Sequence, residues 1–384
     1  MEKPVFDYII CGGGASGLLL LYALSEDPFF SKKDILLIEK ESKNTNDRTW
    51  SFWEKKEGAF EGLLEKKWDT ANFLSSSVSL DFELAPYQYK MLRSKGFYKT
   101  CHEKIERQKN IQYLSAKITS ITNEGITSKV STNKGFFSSK NVFNSVFDPT
   151  ALYNQKKYPV LKQHFIGWFI KTKLEQFDPN KILFMDFNIE QKKETRFLYV
   201  LPLDSKNALV EYTLFSANLL EKKEYEEGIQ SYLKNQGIIE YEIKEKEQGN
   251  IPMSSFPFDQ FNTSSLLNIG TAGGWTKAST GFTFMNTTRN VSKVVSFLKT
   301  GKPLNHFNIK NRFSFYDLLF LDVLFKYNSQ GSKLFERMFE KNTPLTIFRF
   351  LDEKTSFVEE LRIASSFSLR QISWFLMALI RRLF

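Results

Sequence analysis

Asp7-Tyr8-Ile9-Ile10-Cys11-Gly12-Gly13-Gly14-Ala15-Ser16-Gly17-Leu18 runs from apolar residues into glycines and back, and Ile35-Leu36-Leu37-Ile38 follows, closing on Glu39. This is the pattern of a strand, a tight turn, a helix and a second strand ending in an acid. Gly12, Gly14 and Gly17 stand at the G-x-G-x-x-G spacing. Gly12 permits the tight turn, Gly14 lets a pyrophosphate approach the backbone, and Gly17 lets the helix pack closely on the strand. Phosphates then meet free N–H groups at the helix N-terminus, beside Ala15 and Ser16, where the helix dipole favours negative charge. Glu39 lies where an acid accepts hydrogen bonds from ribose hydroxyls, and Lys40 follows it. The stretch reads as an adenine-dinucleotide half-unit of an α/β, Rossmann-type domain.

A second glycine cluster, Gly270-Thr271-Ala272-Gly273-Gly274-Trp275, also follows an apolar strand and precedes a helix. Two separated glycine turns favour FAD over NAD. With a single G-x-G-x-x-G, no separate NAD(P)H domain is encoded. Flavoproteins of the hydroxylase and reductase type usually carry Asp after the first glycine of the late turn. Thr271 can still donate or accept one bond there but brings no charge.

With 384 residues the chain is long enough for two domains, or for one with a large insertion. Two cysteines and three scattered histidines imply neither a disulfide framework nor a metal site. The 38 phenylalanines are largely core material, yet they also suit a long apolar or polyene ligand. The net charge of +10 raises the question of nucleic acid. Lysines alternate with glutamates, as in Glu221-Lys222-Lys223-Glu224 and Lys244-Glu245-Lys246-Glu247, which reads as a solvated face, and no nucleic-acid motif accompanies them. No apolar run reaches the roughly 18 residues of a membrane span. After Glu360 the chain holds Arg362, Arg370, Arg381 and Arg382 but no acid. Ile372, Phe375, Leu376, Leu379, Ile380 and Leu383 recur there at helical spacing beside Trp374. That end is either an interfacial anchor or a helix docked on the body.

The expected organisation is discontinuous. Residues 1–75, 96–150 and 262–304 form the FAD-binding domain, and 76–95 with 151–261 form an antiparallel β-sheet substrate domain. Residues 305–384 form a helical C-terminal region.

The chain resembles the bacterial FAD-dependent lycopene cyclases, and within them the β-cyclases, over roughly residues 5–300. The resemblance rests on the Gly12–Gly17 turn, Asp47-Arg48-Thr49-Trp50-Ser51-Phe52-Trp53, Gln163-His164-Phe165-Ile166-Gly167-Trp168 and Phe177-Asp178-Pro179 leading to Phe184-Met185-Asp186-Phe187. It continues through Phe197-Leu198-Tyr199-Val200-Leu201-Pro202-Leu203, Val210-Glu211-Tyr212-Thr213 and Gly270 to Phe282. Two departures stand out: Ala278 where the family often has Pro, and Phe143-Asn144-Ser145 where it has an Asp-Ala-Arg-type strand end.

The resemblance implies a reaction without net redox change. An acid protonates the terminal double bond of a linear carotenoid end group, the cation closes a ring, and loss of a proton leaves the β-ring. The family's acid falls on Glu211. Leu209, Glu211, Thr213 and Phe215 share one face of an otherwise apolar strand, which would keep a carboxyl neutral. Asp186 is the second candidate, for supporting polar contacts. Cofactor contacts are expected at Gly12, Gly14, Ala15, Ser16, Gly17, Glu39, Lys40, Arg48, Gly270, Thr271, Gly273 and Gly274. Trp50, Trp168 and Trp275 are candidate cavity walls. Reduced FAD would act as a charge stabiliser, with NAD(P)H as the source of its electrons. Lycopene and related linear carotenoids are the expected ligands. The implied setting is cytoplasmic, at the inner face of the cell membrane, which leaves room for association with other carotenoid enzymes. An FAD-dependent hydroxylase or prenyl reductase, and a non-catalytic carotenoid-binding flavoprotein, are the alternatives.

Overall fold

A computed structural model describes residues 5–383. The chain divides into two compact units.

The first unit comprises residues 1–50, 93–156 and 255–311. Its centre is a five-stranded parallel sheet in the order Leu266–Asn268, Val142–Asn144, Tyr8–Cys11, Ile35–Glu39 and Ile111–Ser115. Ile9, Ile10, Leu36, Leu37 and Ile38 are buried together, because a parallel sheet is covered on both faces and reads as a continuous apolar run. Helix Ala15–Glu26 follows the first glycine turn and packs on helix Phe284–Leu298, which follows the second. A smaller sheet of Val5–Phe6, Gly135–Ser139, Ser128–Thr132 and Ile118–Asn123 completes the unit.

The second unit comprises residues 51–92, 157–254 and 312–384. Its seven-stranded sheet runs Tyr241–Met253, Leu161–Thr172, Asn207–Ser216, Thr195–Pro202, Lys181–Asp186, Thr70–Leu74 and Ser79–Glu83. Every neighbouring pair is antiparallel except Lys181–Asp186 with Thr70–Leu74. One face packs Ile166, Trp168, Leu198, Val210, Tyr212 and Leu214 beneath Tyr225, Ile229 and Leu233 of helix Lys222–Asn235. The opposite face carries Phe197 between Phe187 and Phe215, and the latter two meet Phe335 of helix Gly331–Lys341. Phe73 stacks on Phe339 of the same helix at 4.2 Å between centroids. The unusual phenylalanine content is thus heavily spent on sealing helices onto this sheet.

The unit boundaries differ from the sequence expectation, most widely in two places. Residues 51–75 belong with the sheet unit, because Thr70–Leu74 pairs with Lys181–Asp186 across a long sequence separation. Residues 312–384 belong with it too rather than standing apart. Helix Leu369–Leu383 is fastened to helix Arg312–Lys326 by Asp322, which is 2% exposed and bonded to Arg381 and to both Nε and Nη2 of Arg382 at 2.7 and 2.6 Å.

Candidate active site

In the first unit the glycine turn has the form of a phosphate cradle. Gly12 holds φ +97°, a conformation that favours glycine, and its N–H donates to the Ile38 carbonyl at 2.8 Å. A Cβ on Gly17 would lie 1.9 Å from the Gly12 carbonyl oxygen, so glycine there lets the helix start against the turn. A Cβ on Gly14 would meet nothing within 4 Å. Gly14 caps helix Ala15–Glu26 without a side-chain bond, and the first turn of the helix holds no acid. Open space above free N–H groups is what a pyrophosphate requires.

Glu39 is buried and organises the turn. One carboxylate oxygen accepts the Gly13 N–H at 2.5 Å; the other accepts those of Lys40 and Glu41 at 2.8 and 2.9 Å. A carboxylate has roughly four acceptor positions, so capacity for ribose hydroxyls remains. The Lys40 ammonium is exposed beside Glu41 at 3.3 Å. The Arg48 guanidinium is exposed and donates to the Asp47 carbonyl at 2.6 Å. Asp47 is itself held by the hydroxyls of Ser94 and Tyr98 at 3.0 and 2.8 Å.

The second glycine turn meets the first. A Cβ on Gly270 would lie 2.0 Å from Ser16 Oγ, and one on Gly273 2.2 Å from the Asn268 carbonyl oxygen. Thr271 sits in a chain of hydroxyls, Thr271 to Thr276 at 3.1 Å and Thr276 to Thr283 at 3.0 Å. Trp275 is buried beside this turn, near Phe307. Trp50 stacks on Phe284 at 5.2 Å and meets Phe97 and Tyr98 edge-on. The unusual strand end also acquires a purpose. Asn144 donates to the Asn268 side chain at 2.9 Å, and the Ser145 hydroxyl reaches the Cys11 and Gly12 carbonyls at 2.9 and 3.0 Å. Ser145 thus braces the cradle from the neighbouring parallel strand. Its position at the C-terminal end of such a strand was the available sequence signal.

In the second unit Glu211 lies on strand Asn207–Ser216, 7% exposed, on the phenylalanine-lined face of the sheet. Thr213 Oγ1 donates to its Oε1 at 2.5 Å. Burial, reinforced by the charge of Glu247, pushes its pKa up to about 8 against the lowering effect of the Thr213 bond. Tyr199 stands directly opposite in the next strand, and its hydroxyl donates to that of Tyr89 at 2.6 Å. Burial raises both phenols further, so they stay neutral. The result is a buried carboxyl held toward its neutral form beside two neutral phenols, which is the arrangement of a proton donor. Tyr89, Tyr199 and Glu247 were not singled out from sequence: cross-strand register brings Tyr199 and, by way of Gly167, Glu247 to Glu211, and the Tyr199 hydroxyl brings in Tyr89 from the separate strand Gln88–Arg93.

Asp186 and Trp168 do not join this group. Asp186 is opposed to Leu198, on the face covered by helix Lys222–Asn235, where its charge acts on Tyr232. One oxygen accepts the Asn188 N–H at 2.8 Å, so it finishes the strand end. Trp168 packs on that same covered face, with the Lys246 ammonium 4.9 Å from its ring centroid.

A family model described as lycopene cyclase protein matches residues 7–378. No curated protein matches the chain. Among the solved structures that share the fold are the following three. A geranylgeranyl bacteriochlorophyll reductase-like protein from Thermoplasma acidophilum is 12% identical, covers 98% of this chain and 100% of its own, and has a TM-score of 0.67. A flavoprotein/dehydrogenase from Cytophaga hutchinsonii is 13% identical over 99% of each chain, with a TM-score of 0.63. A flavin-dependent brominase is 14% identical over 99% of each chain, with a TM-score of 0.62.

Proposed function

Because the chain belongs to the lycopene cyclase family, we propose that it is a lycopene β-cyclase, an FAD-dependent isomerase that converts linear carotenoid end groups into β-rings. The observation that carries this reading is Glu211, a carboxyl buried on an apolar sheet face with its pKa raised to about 8. Such a group is protonated at neutral pH and can hand its proton to an electron-rich double bond. Loss of a ring proton to a base then balances the charge, and no electrons are exchanged overall.

FAD would be held by the Gly12–Gly17 turn, by Glu39 and by the Gly270–Gly274 turn. The open space over Gly14 fits its pyrophosphate. When bound and reduced, FAD would supply negative charge and a π surface that favour a cation. Thr213 orients the acid through its 2.5 Å bond, while Tyr199 and the surrounding phenylalanines keep the acid's surroundings apolar. NAD(P)H is the proposed source of electrons for the flavin.

Expression in lycopene-accumulating cells tests the reaction: β-carotene or γ-carotene should appear, and unchanged lycopene would sink the proposal. The acid must be protonated to act, so purified enzyme should hold its rate below its raised pKa. Rate should then fall about tenfold per pH unit above roughly pH 8. A rate that rises across that range would contradict the assignment of Glu211.

We also propose work at the inner face of the cell membrane. Among the described residues no helix is long and apolar enough to cross a membrane. The last two helices expose Phe357, Val358, Leu361, Leu369, Leu376, Ile380 and Leu383, and Leu369 is 87% exposed. Arg362 and Arg370 are exposed on the same helices, whereas Arg381 and Arg382 are committed to Asp322. Deleting the last helix would strand a buried aspartate, at a cost of about 3–5 kcal/mol, and is therefore a poor test. Leu376→Glu with Ile380→Glu leaves that clamp intact. It should weaken binding to phosphatidylglycerol vesicles at least about tenfold, since apolar insertion is lost and lipid repulsion gained. Unchanged binding would assign these faces another role.

A further inference from the structure

Gly167, on strand Leu161–Thr172, lies directly opposite Glu211 on one side and Glu247 on the other. Directly opposed residues of antiparallel strands share a face, so Glu247, Gly167, Glu211 and Tyr199 form one row across the sheet. The position between the two acids carries no side chain. A Cβ there would lie 2.9 Å from Leu209 Cδ1, 3.2 Å from Glu247 Cγ and 3.5 Å from its Oε1, so the Glu247 side chain leans over the glycine, beside that of Leu209. Tyr241–Met253 is the edge strand of the sheet, and Glu247 is half-buried where Glu211 is buried.

We propose that Glu211 and Glu247 form one titrating carboxyl pair across the gap at Gly167, with Glu247 the positioning residue that keeps the proton on Glu211. This rests on the role given to Glu211 above. Two carboxyls facing each other do not ionise together; the first proton leaves the member that water reaches, and its charge then holds the second proton on the buried member. Burial already favours neutral Glu211, and the Glu247 charge acts in the same direction. Among the described residues, the other titratable groups facing Glu211 are Tyr199 and Tyr89, and Glu245 is the next acid on the same side of the edge strand. Lys246, between the two edge-strand acids, points to the other face and pairs with Glu226 at 2.7 Å. It therefore does not stand between Glu247 and Glu211.

Infrared difference spectra of the full-length, FAD-loaded protein test the pair without turnover. The C=O stretch of a neutral carboxylic acid that Glu211→Gln removes belongs to Glu211, and it should titrate with a midpoint near 8. In Glu247→Gln that midpoint should fall by at least about one pH unit, a tenfold loss of proton affinity. Glu247→Asp, which keeps the charge but withdraws it, should fall less. Gly167→Ala, whose Cβ crowds both Leu209 and Glu247, should fall in the same direction if Glu247→Gln does not fold. A midpoint unchanged in these variants, or no Glu211 band above the ordinary carboxyl range in the parent protein, would overturn the pair. Ring formation is scored separately, so the cyclase reading and the carboxyl pair can fail independently.

Discussion

Replacing Glu211 with Gln is expected to leave flavin content and lycopene binding intact and to lower ring formation roughly 10³- to 10⁴-fold, the scale of a positioned general acid. Gln keeps the shape of the side chain and can still accept from Thr213, now 2.5 Å away. It has no acidic proton to give. The same substitution should alter stability in a pH-dependent way. The pKa of Glu211 is raised from 4.5 to about 8. Its contribution to folding is therefore complete below pH 4.5 and is lost as pH rises through 8. Each unit of the shift corresponds to about 1.4 kcal/mol, so the parent protein should weaken by a few kcal/mol across that window. Glu211→Gln should show a flatter profile. Parallel profiles in the two proteins would mean that Glu211 is ionised in the native state, and that another group starts the reaction.

The second large effect is expected at Gly14. Its φ of −76° and ψ of −173° suit any residue, and a Cβ would meet nothing within 4 Å. Gly14→Val should therefore fold, at a capping cost of about 1 kcal/mol. Its side chain would fill the path of the pyrophosphate, so flavin content should fall below detection. Gly17→Val is the contrast, because its Cβ would collide with the Gly12 carbonyl and the turn itself would fail. Normal flavin content in folded Gly14→Val would move the cofactor away from this turn.

The cradle was legible because its parts lie close in sequence. The turn, the helix and Glu39 fall within one βαβ unit, where spacing alone fixes geometry. Glu211 was legible through the resemblance of its motif to the family's, with which the alternation of its own strand agrees. What surrounds it was not. Lys244-Glu245-Lys246-Glu247 reads as a solvated face, yet Glu247 turns inward over Gly167, because only strand register reveals that the residue opposite has no side chain. Asp186 and Trp168 sit in motifs as specific as that of Glu211 but lie on the other face of the sheet. For Asp186, a register shift between Leu183 and Asp186 changes which face the strand end presents. The basic C-terminal end is likewise half explained by Asp322, which lies 59 residues before Arg381 and 60 before Arg382. Such pairings carry no local signal.

The most direct test of acid-initiated cyclisation without net redox change is anaerobic turnover of lycopene in heavy water, with a limiting quantity of chemically reduced FAD and no nicotinamide. Product should exceed the flavin supplied many times over, and each new ring should carry one deuterium at the carbon that Glu211 protonates. One product molecule per reduced flavin, or rings free of deuterium, would contradict the account.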